Sequence, residues 1–248
     1  SAVAVSKSGD VYVAGSDKEG AVDLDNWSME IRRFDASLNS ILSSFTFEGN
    51  GAIDVNDMAI LANGSVVLVG ETYANSIPIH SGSFDGVCGL DGNSICDSDD
   101  SRNHSDGFIV VVDASLSNIE RATYVGDDND DNLAGVLVSP EGDIFVHGEV
   151  GHIAQGSSFP ISSNAYYTIG GGSFIGRFSA DLMTLKASTF WHQGNPFYRL
   201  AINDMVVSSS SLYITGGAGI GVATHDTAFQ ENFSGPACNN CSYSPDAY

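Results

Sequence analysis

Basic residues are scarce in this chain, 9 Lys plus Arg against 31 Asp plus Glu, for a formal net charge of −22. Phosphate recognition needs a basic footprint, so this balance argues against nucleic acid and anionic membrane as partners. No apolar run approaches the roughly 20 residues that a spanning helix requires, which argues against membrane insertion in this segment. No stretch carries a sustained apolar stripe at helical spacing, and helical solenoids are thereby excluded. The sequence also lacks a G-x-S-x-G elbow, an H-E-x-x-H pair and a phosphate-binding loop, so the common hydrolase, metalloprotease and nucleotide signatures are missing. The acids are mostly Asp, which favours turns and caps over helices. Such a charge suits a soluble protein facing salt, divalent cations or cationic partners. No charged-then-apolar signal peptide opens the sequence, but residue 1 already falls inside a strand pattern, and nothing about secretion follows.

What is present is a repeat. Gly9 to Gly15 (GDVYVAG), Gly64 to Gly70 (GSVVLVG), Gly142 to Gly148 (GDIFVHG) and Ser211 to Gly216 (SLYITG) are one short alternating strand, each opened by a turn. A second phrase follows at a distance: Phe34 to Ile41 (FDASLNSI), Val112 to Ile119 (VDASLSNI) and Phe178 to Leu185 (FSADLMTL). The closing glycines lie 55, 78 and 68 residues apart, near the blade length of a β-propeller stretched by insertions. Period-two alternation predicts four strands per unit. In the second unit these are 57–62, 65–71, 107–113 and 120–126; in the third, 134–139, 143–149, 173–179 and 185–192. A four-stranded meander cannot bury both faces alone, so neighbours must stack, and radial closure is the usual solution. The fold expected is therefore all-β, a β-propeller of four-stranded antiparallel blades at about 1–49, 50–126, 127–193 and 194–248, forming one array. The fourth unit has strands at 200–207 and 211–217 and then only the start of a third at 246–248, about three and a half blades in all. The expectation is a fragment or the ordered part of a longer repeat protein, or else a neighbouring subunit that completes the unfinished sheet.

Cys88 and Cys96 fall in the loop between second and third strands of unit two, and Cys238 and Cys241 in the same loop of unit four. Paired cysteines at one recurring slot predict local disulfides and an oxidising compartment, with a zinc site or a redox pair as the alternatives. The Cys238–Cys241 spacing resembles a redox motif without the βαβ context, and Ser242 after it rules out haem attachment.

Read as a whole, each unit runs G-x-x-Y/V-V-x-G, a Phe-Pro phrase, D-x-F-V, the DASL phrase and T-Y-x-G. Ile77 to Asp85 (IPIHSGSFD), Phe159 to Tyr167 (FPISSNAYY), Ala223 to Gln230 (ATHDTAFQ), Ser105 to Asp113 (SDGFIVVVD), Ser244 to Tyr248 (SPDAY) and Ala122 to Gly126 (ATYVG) carry this pattern. It resembles the bacterial beta-propeller repeat family called SBBP, for seven-bladed beta-propeller, across essentially the whole chain. Unit one lacks the Phe-Pro phrase, and the family's third-strand lysine is missing, with Arg33, Val112 and Phe178 near that slot. The resemblance implies a secreted or surface-anchored, non-enzymatic scaffold or binding module in adhesion or extracellular assembly, with protein or glycan partners and self-assembly in a filament as a variant. It implies no catalytic residues. The rival from another class is a propeller hydrolase or lyase acting on extracellular polysaccharide or peptide, and fold alone does not choose between them.

Calcium is the cofactor that the oxygen clusters suggest. Asp127, Asp128, Asp130 and Asp131, interleaved with Asn129 and Asn132, form the densest one, between units two and three. Calcium takes six to eight oxygens from such groups, and a solvated turn has the same composition. Asp91, Asn93, Asp97 and Asp99, with Asp100 and Asp106, form a second set whose spacing fits no EF-hand; a calcium-ordered loop and a merely acidic one both fit it. The six histidines are scattered, and His147 stands where Ala14, Val69 and Thr215 stand in other units, as a packing residue would. Trp27, Trp191, Phe197 and Tyr198 fit either ligand stacking or inter-blade packing, and packing is the plainer role for Trp191 at the end of a fourth strand.

Overall fold

The computed structural model describes residues 1–17, 28–89, 96, 104–127, 129–151, 159–169, 172–191, 202–208, 211–218 and 246–247, and these form strands without a helix. The first sheet holds β1 (Ala2–Val5), β2 (Val11–Asp17), β3 (Ser28–Phe34) and β4 (Ile41–Glu48). The second holds β5 (Ile53–Ile60), β6 (Val66–Thr72), β7 (Asp106–Val112) and β8 (Ile119–Val125). The third holds β9 (Asp131–Val138), β10 (Ile144–Val150), β11 (Gly172–Phe178) and β12 (Leu185–Phe190). The last pairs β13 (Ile202–Val207), β14 (Leu212–Ala218) and β15 (Asp246–Ala247). Every sheet is an antiparallel meander of consecutive strands.

The repeated glycines have two separate causes. Gly9, Gly64 and Gly142 take φ of 91°, 90° and 91° in the turn that opens the second strand, a region L side chains avoid. Gly70 and Gly148 face a β-bulge, and a Cβ there would overlap the carbonyl oxygens of Asp54 and Asn132. The bulges fall at Asn56 in β5, Ala134 in β9 and Asn203 in β13, where two residues oppose one on the partner strand. They also correct the expected strand starts. Alternation alone began the first strands at 57 and 134, whereas they begin at Ile53 and Asp131, because the bulge breaks the period of two and hides the half that precedes it. The DASL phrase is a tight β-hairpin whose leucine adopts left-handed backbone: Leu38, Leu116 and Leu182 have φ of 59°, 56° and 58°.

Adjacent sheets pack face to face. Tyr12, Met29 and Ile31 of the first sheet share a core with Leu68, Phe108 and Val110 of the second. Val67, Val69 and Ile109 on the other face of that second sheet meet Val146, Phe174 and Phe178 of the third. Ile175 and Phe145 of the third meet Ile202 and Met205 of the last. The second sheet is sandwiched, which is why β7 is buried along its whole length on both faces. First strands lie next to first strands: β1 beside β5, β5 beside β9, β9 beside β13. Two side chains at the β5 bulge stitch this inner layer, since Asn56 Nδ2 donates to the Leu133 carbonyl at 2.9 Å and Asp57 Oδ2 accepts from the Val136 amide at 2.9 Å.

Candidate functional site

Because the first strands sit side by side, their turns converge. A cavity of about 910 Å³ opens there, lined by Val5, Lys7 and Tyr12 of the first sheet, Ile60 to Gly64 of the second, Val138 to Pro140 of the third and Val207 of the last. That volume lies within the usual range of small-ligand sites. In a chain this acidic, the described residues of its lining include the cations Lys7 and Arg33 and no carboxylate. Arg33 Nη2 bonds Asp10 Oδ2 at 2.6 Å and holds that carboxyl below its ordinary range, while its guanidinium lies 5.7 Å from the Tyr12 ring centroid. Ammonium, guanidinium, serine hydroxyls and apolar walls together suit a polar or anionic ligand with an apolar face.

Strand register makes Arg33, Val111 and Arg177 equivalent, since Tyr12 pairs with Arg33, Val67 with Val111 and Phe145 with Arg177; Val112 and Phe178 lie one residue past that position. Arg177 repeats the Arg33 arrangement, bonding Asp143 and lying 5.4 Å from the Phe145 ring.

Carboxylates from three segments converge at the junction of the second and third sheets. Asp106 opens β7, Asp131 opens β9 and Asp127 lies in the link between β8 and β9; all are at most 2% exposed. Asp131 Oδ2 accepts the Asp127 amide at 2.7 Å and Oδ1 the Gly151 amide at 3.1 Å. Asp127 Oδ1 accepts the Asn129 amide at 2.9 Å, and Asp106 Oδ2 the Gly89 amide at 2.9 Å. Gly126 leaves the room between them, since a Cβ there would overlap Asp106 Oδ1 and come within 3.0 Å of Asp131 Oδ2. Burial, with the charges of Asp127 and Asp106 added, pushes the Asp131 carboxyl up to about 8. A hard cation at this junction would have to draw these three together, because their oxygens do not all lie within 4.8 Å of one another as the ligand atoms of Cys88, Cys96 and Asp106 do. Asp130 turns outward, with His104 Nδ1 3.5 Å from its Oδ1. The two acidic sets of the sequence thus share a member, because Asp106, grouped with the loop, belongs to the junction. Asp128, Asp91, Asn93, Asp97 and Asp99 lie outside the described residues, as do Cys238 and Cys241.

Cys88 and Cys96 form a disulfide with Cα atoms 5.6 Å apart, beside Asp106. Their sulfurs are therefore not thiolate ligands for zinc. The bond fits an oxidising compartment, and no helix among the described residues is long and apolar enough to cross a membrane.

A further polar layer lies in the inner strands. His147 is 5% exposed and pairs across from Gly135, whose missing side chain leaves space for the imidazole; a Cβ on Gly135 would overlap Nε2. Burial lowers the His147 pKa to about 4, against a smaller opposing effect of Asp204. Asp57 and Asp204 occupy the Gly135 position in their own sheets, opposite Val69 and Thr215. Burial raises the Asp57 carboxyl, and the Asp204 charge adds to it. This layer was missed in the sequence although its signal is there, the tripeptide Asn-Asp-Met at 56–58 and again at 203–205. Trp191 follows β12 and packs against Ile175, Ile202 and Met205, an inter-sheet role. Trp27, Phe197 and Tyr198 lie outside the described residues.

No protein-family model matches the chain, and no curated protein matches it. Among solved structures, the apocarotenoid oxygenase of Synechocystis is similar at TM-score 0.44 and 10% identity, over 85% of this chain and 41% of that one. A chimeric form of the oxygenase matches at TM-score 0.44 and 10% identity, over 86% and 41%. Its cobalt-substituted form matches at TM-score 0.41 and 12% identity, over 85% and 40%. The chain spans about two fifths of the length of those proteins, and at this level the likeness says nothing of activity.

Proposed function

We propose that this chain is part of an extracellular or cell-surface β-propeller of the SBBP type that acts as a non-enzymatic binding scaffold, with its ligand seated at the cavity where the first-strand turns meet. The observation that carries this reading is the cavity itself, built from the inner ends of all four sheets and lined by cations, hydroxyls and apolar walls in a chain of net charge −22. Stacked meanders with their first strands innermost support the propeller. The disulfide supports the extracellular location. Structural calcium at Asp106, Asp127 and Asp131 belongs to the same proposal, since a divalent cation offsets three buried carboxylates. The ligand is a glycan or an acidic protein segment, recognised through Lys7 and the aromatic and hydroxyl groups beside it.

The test is binding of the full chain to arrays of neutral and acidic glycans and of extracellular proteins, with Lys7→Glu alongside. Lys7 is exposed and its replacement leaves the core intact. Saturable binding weakened at least tenfold by Lys7→Glu supports the reading. Release of cleaved products from polysaccharide or peptide, abolished by His147→Val, overturns it in favour of an enzyme; so does binding indifferent to Lys7 at every ligand.

A further inference from the structure

Cys88 and Cys96, in the link between β6 and β7, meet Asp106 at the start of β7. One ligand atom from each, the two Sγ and a carboxylate oxygen, lie within 4.8 Å of one another, the one such group of three among the described residues. The sulfurs are close because they are bonded, so the informative member is Asp106. All three residues are at most 4% exposed. A disulfide has no proton to donate, so it offers a buried carboxylate nothing in exchange for lost water. Asp106 Oδ2 accepts the amide of Gly89, the residue after Cys88, at 2.9 Å, which fixes the carboxyl against this loop. Two sulfurs beside a buried carboxylate are instead a donor set for a borderline-soft divalent cation such as zinc.

The backbone already has the spacing that such an ion needs. The two cysteine Cα atoms are 5.6 Å apart, and from there rotation of the side chains is enough to part the sulfurs to the roughly 3.8 Å that separates them on one tetrahedral zinc ion. Both cysteines belong to the apolar cluster that holds Ala74, Ile77 and Tyr124, so the surroundings are dry. In such surroundings thiolates and a carboxylate are costly to bury unless a cation neutralises them. Three protein donors leave a fourth position open to water.

We infer that the reduced chain holds a zinc-class divalent cation on Cys88 Sγ, Cys96 Sγ and one oxygen of Asp106, and that closing the disulfide excludes it. A dithiol breaks the sulfur-sulfur bond, which leaves two thiols on the chain and one disulfide on the reductant. Zinc then displaces the two thiol protons to solvent and is held by two thiolates and a carboxylate. The oxidised chain has no thiolate there and lacks two of the three donors. The same cysteine pair thereby acts as a staple where the surroundings oxidise and as a metal ligand where they reduce. This goes beyond the binding-scaffold reading and does not rest on it. It is separate from calcium at the sheet junction as well, because calcium takes oxygen donors and only Asp106 is common to the two sites.

The test uses the full chain carrying Cys238→Ser and Cys241→Ser, so that one cysteine pair remains, reduced with a dithiol and freed of it under nitrogen. Cobalt(II) is titrated in as a spectroscopic stand-in for zinc, and circular dichroism checks the fold of every variant. One equivalent should raise a near-ultraviolet sulfur-to-cobalt band, which zinc should abolish and a large excess of calcium should not. The oxidised chain should show no such band, and Cys88→Ser should need far more cobalt to show one. Asp106→Asn, which keeps the side chain's size, should keep the band but weaken cobalt binding roughly tenfold or more. No sulfur band in the reduced chain overturns the inference, as does binding that Asp106→Asn leaves unchanged. Equal binding by the oxidised chain also overturns it and assigns the ion to the carboxylates instead.

Discussion

Replacing Asp131 by Asn removes one of three carboxylates buried together while keeping the side chain's size. In the folded chain burial and the Asp127 and Asp106 charges place the Asp131 carboxyl at about 8, against about 3.9 for an unperturbed Asp in the unfolded chain. Between those values the folded state holds a proton that the unfolded state does not, so stability rises as pH falls from 8 towards 4 and is lost again as pH rises through 8. Between pH 8 and pH 6 this amounts to about 2 kcal/mol from the one group. Urea unfolding of wild type and Asp131→Asn at both pH values, with a chelator present, isolates it, because the other titrating groups are common to both chains. Wild type should gain about 2 kcal/mol on acidification relative to the variant. Adding calcium at pH 8 should raise the wild-type midpoint and leave Asp131→Asn nearly unmoved, since the cation takes the place of the proton. Parallel pH profiles would show that the three carboxylates do not share one buried environment, and the reasoning about the junction would fail with them.

His147 and Gly135 should behave as a compensated pair. Gly135→Ala should cost about 1–3 kcal/mol by overpacking, and adding His147→Val should recover most of it, a coupling read from a double-mutant cycle. With the folded His147 pKa at about 4 and the unfolded one near 6.5, wild type should lose up to about 3 kcal/mol as pH falls through that window, and His147→Val should not show that loss in a urea series. The left-handed leucines should part company when changed to Gly. Leu182→Gly loses a fully buried side chain and should lower stability by about 2–5 kcal/mol. Leu38→Gly relieves the same backbone strain with little burial to lose, and its effect should lie between neutral and about 1 kcal/mol stabilising by thermal or urea melts.

The meanders were legible because a strand that buries one or both faces leaves a period of two, and because Gly9, Gly64 and Gly142 must take positive φ whatever packs around them. The closing glycines were legible as a pattern but not as a cause: only the strand register shows that Gly70 and Gly148 yield to a carbonyl across a bulge. Bulges also hid the first halves of β5 and β9, since an extra residue shifts the alternation halfway along. Acid clusters could be seen in the sequence, but not that Asp106 would join Asp127 and Asp131, because residues 20 and more apart meet only once β7 and β9 pack at the sheet junction. His147 was legible as a packing residue by its slot, whereas its dependence on Gly135 needs the cross-strand partner to be known.

The central claim is that consecutive meanders stack face to face with their first strands side by side about one cavity. A crystal structure of this chain tests it most directly. The account predicts Val5, Ile60, Val138 and Val207 on the wall of a single cavity, with Asp57 bonded to the Val136 amide across the junction of the second and third sheets. Two sheets closed into a sandwich, or first strands placed at the rim with the fourth strands innermost, would contradict it.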